Sequence, residues 1–379
     1  MWVWDWFQSL SSEGKALIIG VVGAVANWWR DRRFIASLRG DIAKKEARLE
    51  EEERRLKAVE QELSKAQKKI DDLKGALRGS DAGIWTTFPP NPPSSALKSV
   101  MGRSEPIILT IANNKGGVGK TTLAGNLLAY FDRRKGKRVL AIDMDYQGSL
   151  STMLKAHQDV VEAATSNVNA LLSKGAGVGS LFAASRGLGQ QLARSSFVSA
   201  FYDLALFEDQ LMVDWLLQED GDDVRYRLAN VLFQPGVRKR FDLVIIDVPP
   251  RLTTGTMNAL CASSHVLIPT IFNPIAAEPV PNFLGSAIGL MSRLNRTVNF
   301  VGVVETMAPP SNQGQDARRA GRLLIEEALS GLHPKIEILA PFVPRRVPIA
   351  EGGIAYLENN EARAIFDELG DEISQRIGL

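Results

Sequence analysis

The chain has 379 residues, 45% of them apolar, with 45 lysines and arginines against 43 aspartates and glutamates, a formal net charge of +2. That length allows two domains and a substantial core, and the near balance of charge excludes a globally basic nucleic-acid binder, so a polyanion site has to be local. The one cysteine, Cys261, excludes an internal disulfide and suits a reducing compartment, and the three histidines, His157, His265 and His333, lack metal-ligand spacing.

Residues 1–33 form a region of their own. Trp2, Trp4, Trp6 and Phe7 open it, Ala16–Trp29 is uncharged and almost wholly apolar, and Arg30, Arg32 and Arg33 follow. Tryptophans at both ends of an apolar helix with arginines just beyond one end form a membrane-interface pattern. A spanning helix needs about 20 apolar residues and this run supplies about 14, so a short or tilted span stands beside an in-plane interfacial helix and a helix buried in an oligomer. A span would leave everything after the arginines in the cytoplasm. The reading is a hydrophobic membrane-associating helix that tethers a cytoplasmic domain to the inner cell membrane.

Residues 34–78 repeat every seven positions. Ile35, Ile42, Leu49, Leu56, Leu63, Ile70 and Leu77 make one row, and Leu38, Lys45, Glu52, Val59, Ala66 and Leu73 make the second, amid many charged residues. This is a coiled-coil heptad pattern, and a coiled coil needs a partner, so the region predicts self-association. Residues 79–105, with Phe88-Pro-Pro-Asn-Pro-Pro-Ser-Ser at their centre, read as a semi-extended linker. The remaining domain is 106–379.

That domain opens with an apolar run, Ile107–Ala112, then Lys115-Gly116-Gly117-Val118-Gly119-Lys120-Thr121-Thr122, then a helical stretch. Strand, glycine-rich turn and helix start, in that order, make a cradle for nucleotide phosphates. Lys120 reaches the β- and γ-phosphates there and the Thr121 hydroxyl sits on Mg²⁺. Downstream, Arg138-Val-Leu-Ala-Ile-Asp-Met-Asp is an apolar strand ending in two carboxylates, Asp143 and Asp145, which open into the crevice where ligands bind. Phe241-Asp-Leu-Val-Ile-Ile-Asp-Val-Pro-Pro is a central strand whose Asp247 is placed to hold the Mg²⁺ water shell, so Thr121, Asp143 and Asp247 make up the metal side. Between these strands, Gly148–Arg240 is largely unassigned, and Gly175–Gly189, rich in Gly, Ala and Ser, reads as a mobile insertion. Cys261, on an apolar helix, reads as a small core residue.

The lysine at 115, with Asn114 where the plain phosphate-loop pattern has glycine, resembles the deviant-Walker ATPases of the ParA/MinD type. The resemblance extends over Asp143-Met-Asp-Tyr-Gln-Gly, where Tyr146 replaces the family's proline. It continues through Asp247-Val-Pro-Pro to the Phe342-Val-Pro-Arg-Arg segment, where Arg346 replaces the usual asparagine. It implies an α/β P-loop NTPase fold, a mainly parallel twisted sheet flanked by helices, with the N-terminal apolar helix and coiled coil before it. The implied enzyme is a Mg²⁺-dependent ATPase that dimerises around ATP, with Lys115 crossing to the partner's phosphates, Asp145 orienting the attacking water, and Pro344 and Arg345 flanking the adenine.

Such ATPases act as switches that position or partition a partner complex, on a membrane or on nonspecific DNA. The implied partners are a second copy, a membrane through residues 1–33, nonspecific DNA, and a protein that the sequence does not name. Arg318, Arg319, Arg322 and Arg346 are the DNA-binding candidates. The C-terminal stripe of Ile365, Phe366, Leu369, Ile373 and Ile377 reads as core, because its opposite face, with Glu368, Asp371 and Glu372, is acidic. A tyrosine-kinase relative of the same fold carries a C-terminal tyrosine cluster, whereas Tyr356 is the only tyrosine after Tyr226 here.

Overall fold

The computed structural model describes residues 1–79, 82–90, 106–159, 166–217, 221–294, 296–309, 314–332, 335–346 and 353–379, with backbone only at 76, 77 and 79. The Leu77 side chain, His333, most of the linker from 91 to 105, and 347–352 beyond the base-flanking segment lie outside the described residues. The chain divides into two units, Met1–Gly75 and Ala76–Leu379.

In the first unit a short helix, Trp2–Gln8, is followed by a single helix, Ser12–Gly79, of 68 residues. At 1.5 Å per residue it is about 100 Å long. The apolar run and the heptads, read from sequence as separate regions, belong to one unbroken helix because no proline or glycine pair interrupts its ladder. Its heptad residues Ile35, Ile42, Leu49, Leu56, Leu63 and Ile70 are exposed, as are Trp2, Trp4, Trp6, Trp28 and Trp29. The Arg32 guanidinium lies 4.2 Å over the Trp28 ring. No helix among the described residues is long and apolar enough to cross a membrane. That overturns the spanning option: the apolar run ends too soon on either side of charged residues.

The second unit is built on a seven-stranded sheet, in the order β3-β4-β2-β5-β1-β6-β7. The strands are β1 Ile107–Ile111, β2 Val139–Asp143, β3 Arg186–Gly187, β4 Ser196–Val198, β5 Leu243–Asp247, β6 His265–Thr270 and β7 Asn299–Glu305. All pairings are parallel except β3 with β4. Residues alternate between two cores along each strand: Val244 and Ile246 face one, Leu243 and Ile245 the other. A sheet covered on both faces explains why β5 reads as a continuous apolar run. The register aligns Ile111 and Asp143 with Asp247, so three strands end level and deliver their loops to one edge.

Two parts of the sequence reading change here. Gly175–Gly189 holds a helix, Val178–Ala184, with Leu181 and Ala184 buried, and then the antiparallel edge strand β3. Apolar residues at 178, 181 and 182 supply the helical face that the glycine content obscures. The second correction concerns the linker. Trp85 is 1% exposed and stacks on Trp215 with ring centroids 5.7 Å apart, and Phe88 meets the same ring edge-on at 5.3 Å. The fully buried Arg225 donates to the carbonyls of Trp85 (2.6 Å), Phe88 (3.2 Å) and Pro89 (3.0 Å), and its other donors hold Asp223. All five guanidinium hydrogens are thereby used. Segment 84–90 is part of the second unit's core, and the prolines that stop a helix also leave carbonyls free to be captured.

Trp85→Ala is expected to lower the unfolding free energy by about 3–5 kcal/mol, the range for emptying a packed aromatic site. Urea denaturation of the full chain checks this. A loss below about 1 kcal/mol would return the segment to the status of a surface linker.

Candidate functional site

The phosphate loop leaves β1 at Ile111 and is shaped before any ligand arrives. Gly117 and Gly119 have φ of 70° and 82°, where a side chain would be strained. The buried Asn113 side chain donates to the Pro269 carbonyl at 2.8 Å and accepts from Lys115 N–H at 2.9 Å, tying the loop to β6. On the other side Thr306 Oγ1 donates to the Val118 carbonyl at 2.8 Å. The helix Lys120–Arg133 then begins with its N-terminus open to the crevice.

Lys120 is buried and its Nζ donates to the Lys115 carbonyl at 3.0 Å. Burial lowers its pKa, against the opposing pull of Asp247 and Asp145. Thr121 Oγ1 donates to Asp247 Oδ2 at 2.6 Å, while Asp247 Oδ1 is buried without a partner among the described residues. Burial, and then the charge of Asp143, push the Asp247 carboxyl up to about 8. A buried carboxylate with a bare oxygen beside a threonine hydroxyl suits a hard cation that keeps most of its ligands as water and phosphate. Thr121 and Asp247 therefore fit Mg²⁺.

Asp143 sits differently. Its Oδ1 accepts from Asp145 N–H at 3.0 Å and its Oδ2 accepts from Ser151 N–H and Oγ at 2.8 and 2.7 Å. Both oxygens accept hydrogen bonds that hold the loop after β2. Burial raises its pKa to about 6. Asp145, half-buried, is held by that contact and accepts from Gln147 N–H at 3.0 Å. Lys115 is half-buried, and its ammonium has no ion-pair or hydrogen-bond partner among the described residues.

A cavity of 220 Å³ opens beside the loop, lined by Gly119, Thr122, Leu123, Thr306, Met307, Val343, Pro344, Arg345 and Arg346. Pro344 and Arg345, read from the sequence as flanking the adenine, line it together with Gly119 and Thr122 of the phosphate loop. Arg345 N–H donates to the Ala308 carbonyl at 2.8 Å, which fixes this wall to the end of β7. Met307, at the cavity mouth, has φ of 50°, the one non-glycine residue with positive φ among those described.

The arginines proposed for DNA do not gather into one free patch. Arg318 turns inward and pairs in bidentate fashion with buried Glu305, at 2.5 and 2.7 Å, under a contact with Phe342. Arg322 pairs with Glu326 at 2.8 Å and Arg346 with Glu361 at 3.0 Å; these two and Arg319 are exposed. Phe366, Leu369, Ile373 and Ile377 are core as expected, and so is Cys261, whose thiol burial pushes up to about 12.

Sequence reasoning missed Asn113, Ser151, Thr306 and above all Glu208. This buried carboxylate accepts from Thr253 Oγ1 at 2.8 Å and from Gly255 N–H, capping the helix Thr254–Ala262 that follows β5. Only its position among apolar neighbours in Leu204–Leu217 could have signalled it.

Burial lifts the Glu208 carboxyl from its ordinary 4.5 to about 7. Between those values the folded chain holds a proton that the unfolded chain has released, so stability falls as pH rises through the window. Glu208→Gln is expected to flatten that slope by up to about 3 kcal/mol, read from urea midpoints at pH 4.5 to 8. Parallel slopes in the two proteins would place the carboxyl at an ordinary value.

The AAA domain family matches residues 107–300. The sporulation initiation inhibitor protein Soj of Bacillus subtilis is 30% identical over 277 residues, 70% of this chain and 98% of that protein. The chromosome-partitioning ATPase Soj of Thermus thermophilus is 30% identical over 245 residues, 64% of this chain and 83% of that protein. Among solved structures, apo McdA from Cyanothece has a TM-score of 0.58 at 19% identity, covering 72% of this chain and 99% of that one, a likeness of fold alone. A cobyrinic acid a,c-diamide synthase from Mycobacterium smegmatis, solved with an ATP analogue and magnesium, has a TM-score of 0.55 at 25% identity over 70% of this chain and 93% of that one. With phosphate loop, level strand ends and paired Thr121 and Asp247 in place, the chain belongs to the ParA-like family of P-loop ATPases.

Proposed function

We propose that this protein is an ATP-dependent dimerising switch that hydrolyses ATP to ADP and phosphate and uses the cycle to position or partition a partner complex. The observation that carries the reading is the Thr121–Asp247 contact, 2.6 Å, with Lys120 beside it and one oxygen of Asp247 left bare. Thr121 and Asp247 would hold Mg²⁺, which would supply charge neutralisation to a bound triphosphate. The loop N–H groups and Lys120 orient the triphosphate, and the base enters the cavity between Leu123 and Pro344. Asp145, steadied by Asp143, holds the attacking water in line. Lys115 of a second copy adds positive charge at the γ-phosphate, which couples hydrolysis to dimerisation. Catalysis is then mainly positioning and electrostatics, and turnover is slow.

The names of the chromosome-partitioning relatives support a cargo-moving role, and the exposed heptad row supports self-association through the coiled coil. Residues 1–33, with their exposed tryptophans and flanking arginines, support seating in the plane of a membrane interface. The ATPase domain would then work at the cytoplasmic face of that membrane. Nonspecific DNA is the alternative working surface, resting on Arg319 and the rim-paired Arg322 and Arg346.

Lys120→Ala is expected to abolish binding of a fluorescent ATP analogue. Asp145→Ala is expected to retain binding, slow phosphate release by about a hundredfold and accumulate the ATP-loaded dimer. Wild-type turnover in the Asp145 variant would remove that residue from the mechanism. Full-length protein is expected to sediment with anionic vesicles and a chain lacking residues 1–33 is not; equal sedimentation of the two would end the membrane reading.

A further inference from the structure

Glu208, 5% exposed, is a carboxylate on the inner stripe of the helix Asp203–Leu217, in line with the buried Leu204, Leu211 and Trp215. A charge among such neighbours is unfavourable unless donors meet it. All the donors it meets come from one short stretch of chain. Glu208 Oε1 accepts from Thr253 Oγ1 at 2.8 Å and from Gly255 N–H, and the Glu208 carbonyl accepts from Thr254 Oγ1 at 3.1 Å. Residues 253, 254 and 255 thus each give a donor to the same residue of another helix. Gly255 has to be glycine for this contact, because a Cβ there would run into Glu208 Oε1.

The clamped stretch is where the loop that leaves β5 at Asp247 ends. Thr256 Oγ1 and Thr253 N–H both donate to the Arg251 carbonyl, at 2.7 and 3.1 Å, so the last part of the loop and the first turn of the helix form one unit. Upstream, Pro250 Cγ lies 3.9 Å from where a Cβ on Gly116 would stand, against the phosphate loop. Met144 N–H, next to Asp145, donates to the Asp247 carbonyl at 2.9 Å, and the Met144 carbonyl lies 3.6 Å from the Cβ position of Gly255. The loops after β2 and β5 therefore meet at Met144, with Glu208 fastening them at Gly255. The phosphate loop has fastenings of its own, Asn113 to the Pro269 carbonyl and Thr306 to the Val118 carbonyl. Loss of the Glu208 clamp would free the loops that carry Asp145 and Asp247 and leave the phosphate cradle in place.

We propose that Glu208 is a positioning residue for ATP hydrolysis. Through Thr253 and Gly255 it holds the loops after β2 and β5 so that Asp145 and Asp247 address one γ-phosphate; it touches neither nucleotide nor attacking water. This rests on the hydrolysis reading given above. Groups that act by position lose rate steeply when displaced, about a hundredfold for about 1 Å, whereas the affinity set by the phosphate loop is untouched.

The test measures phosphate release and ATPγS affinity side by side in the full chain and three variants. Glu208→Gln keeps an acceptor oxygen in the same place and is expected to keep wild-type kcat. Glu208→Leu removes the acceptor and is expected to lower kcat about ten- to hundredfold, with KM and ATPγS affinity unchanged. Gly255→Ala retains Glu208 but forces its carboxylate aside, and is expected to give the same split; it carries the test if Glu208→Leu does not fold. A carboxylate that only stabilised the fold would lower the melting temperature and leave kcat of the folded protein as it was. Wild-type kcat in Gly255→Ala and Glu208→Leu, a fall in affinity that accounts for the whole loss of rate, or a Glu208→Gln protein as slow as Glu208→Leu would each overturn the assignment alone. Wild-type protein that binds ATPγS yet releases no phosphate from ATP would overturn the hydrolysis reading and the assignment with it.

Discussion

The contact between Thr121 and Asp247 is the constraint on which the rest of the second unit turns. It joins the first turn of the phosphate-loop helix to the end of the central strand β5 and buries a carboxylate with one oxygen unmet among the described residues. Burying such a group is unfavourable by several kcal/mol unless a partner arrives. The same burial lowers the pKa of Lys120 and raises that of Asp143. The register that sets Ile111, Asp143 and Asp247 level makes this convergence geometric rather than accidental.

Around that centre, carboxylates act as fasteners. Asp143 holds Ser151, and through it the chain at Ala200; Glu208 holds Gly255 and Thr253; Glu305 at the end of β7 holds Arg318. Each ties a loop at the nucleotide edge to a helix outside the sheet. A shift in the loops after β2 or β5 would have to move the helix Asp203–Leu217 with it, because packed interfaces of this kind change between discrete arrangements.

Segment 84–90 gives the region before β1 a fixed seat. Arg225 spends all five donors on Asp223 and three carbonyls, beneath two stacked indoles, and the short helical turn Val224–Tyr226 is joined to the helix after β5 through Asn258, which donates to the Val224 carbonyl at 2.8 Å. A buried arginine so fully bonded specifies one geometry for the chain that enters the domain.

Much of this was written in local sequence. The glycines of the phosphate loop, the apolar runs of β1, β2 and β5, and the aspartates that end them announce strand, turn and ligand, because dihedral preference and burial period act over a few residues. The seven-residue repeat fixed a long helix for the same reason. What only the tertiary structure decided depends on residues far apart in the chain: that Trp85 meets Trp215, that Glu208 caps a helix beginning at Thr254, that Arg318 turns onto Glu305 instead of outward, and that Asp143 accepts from Ser151. A side chain's charge is legible in one dimension; the partner that satisfies it is chosen by the packing of the sheet, and that choice separates a structural carboxylate from a functional one.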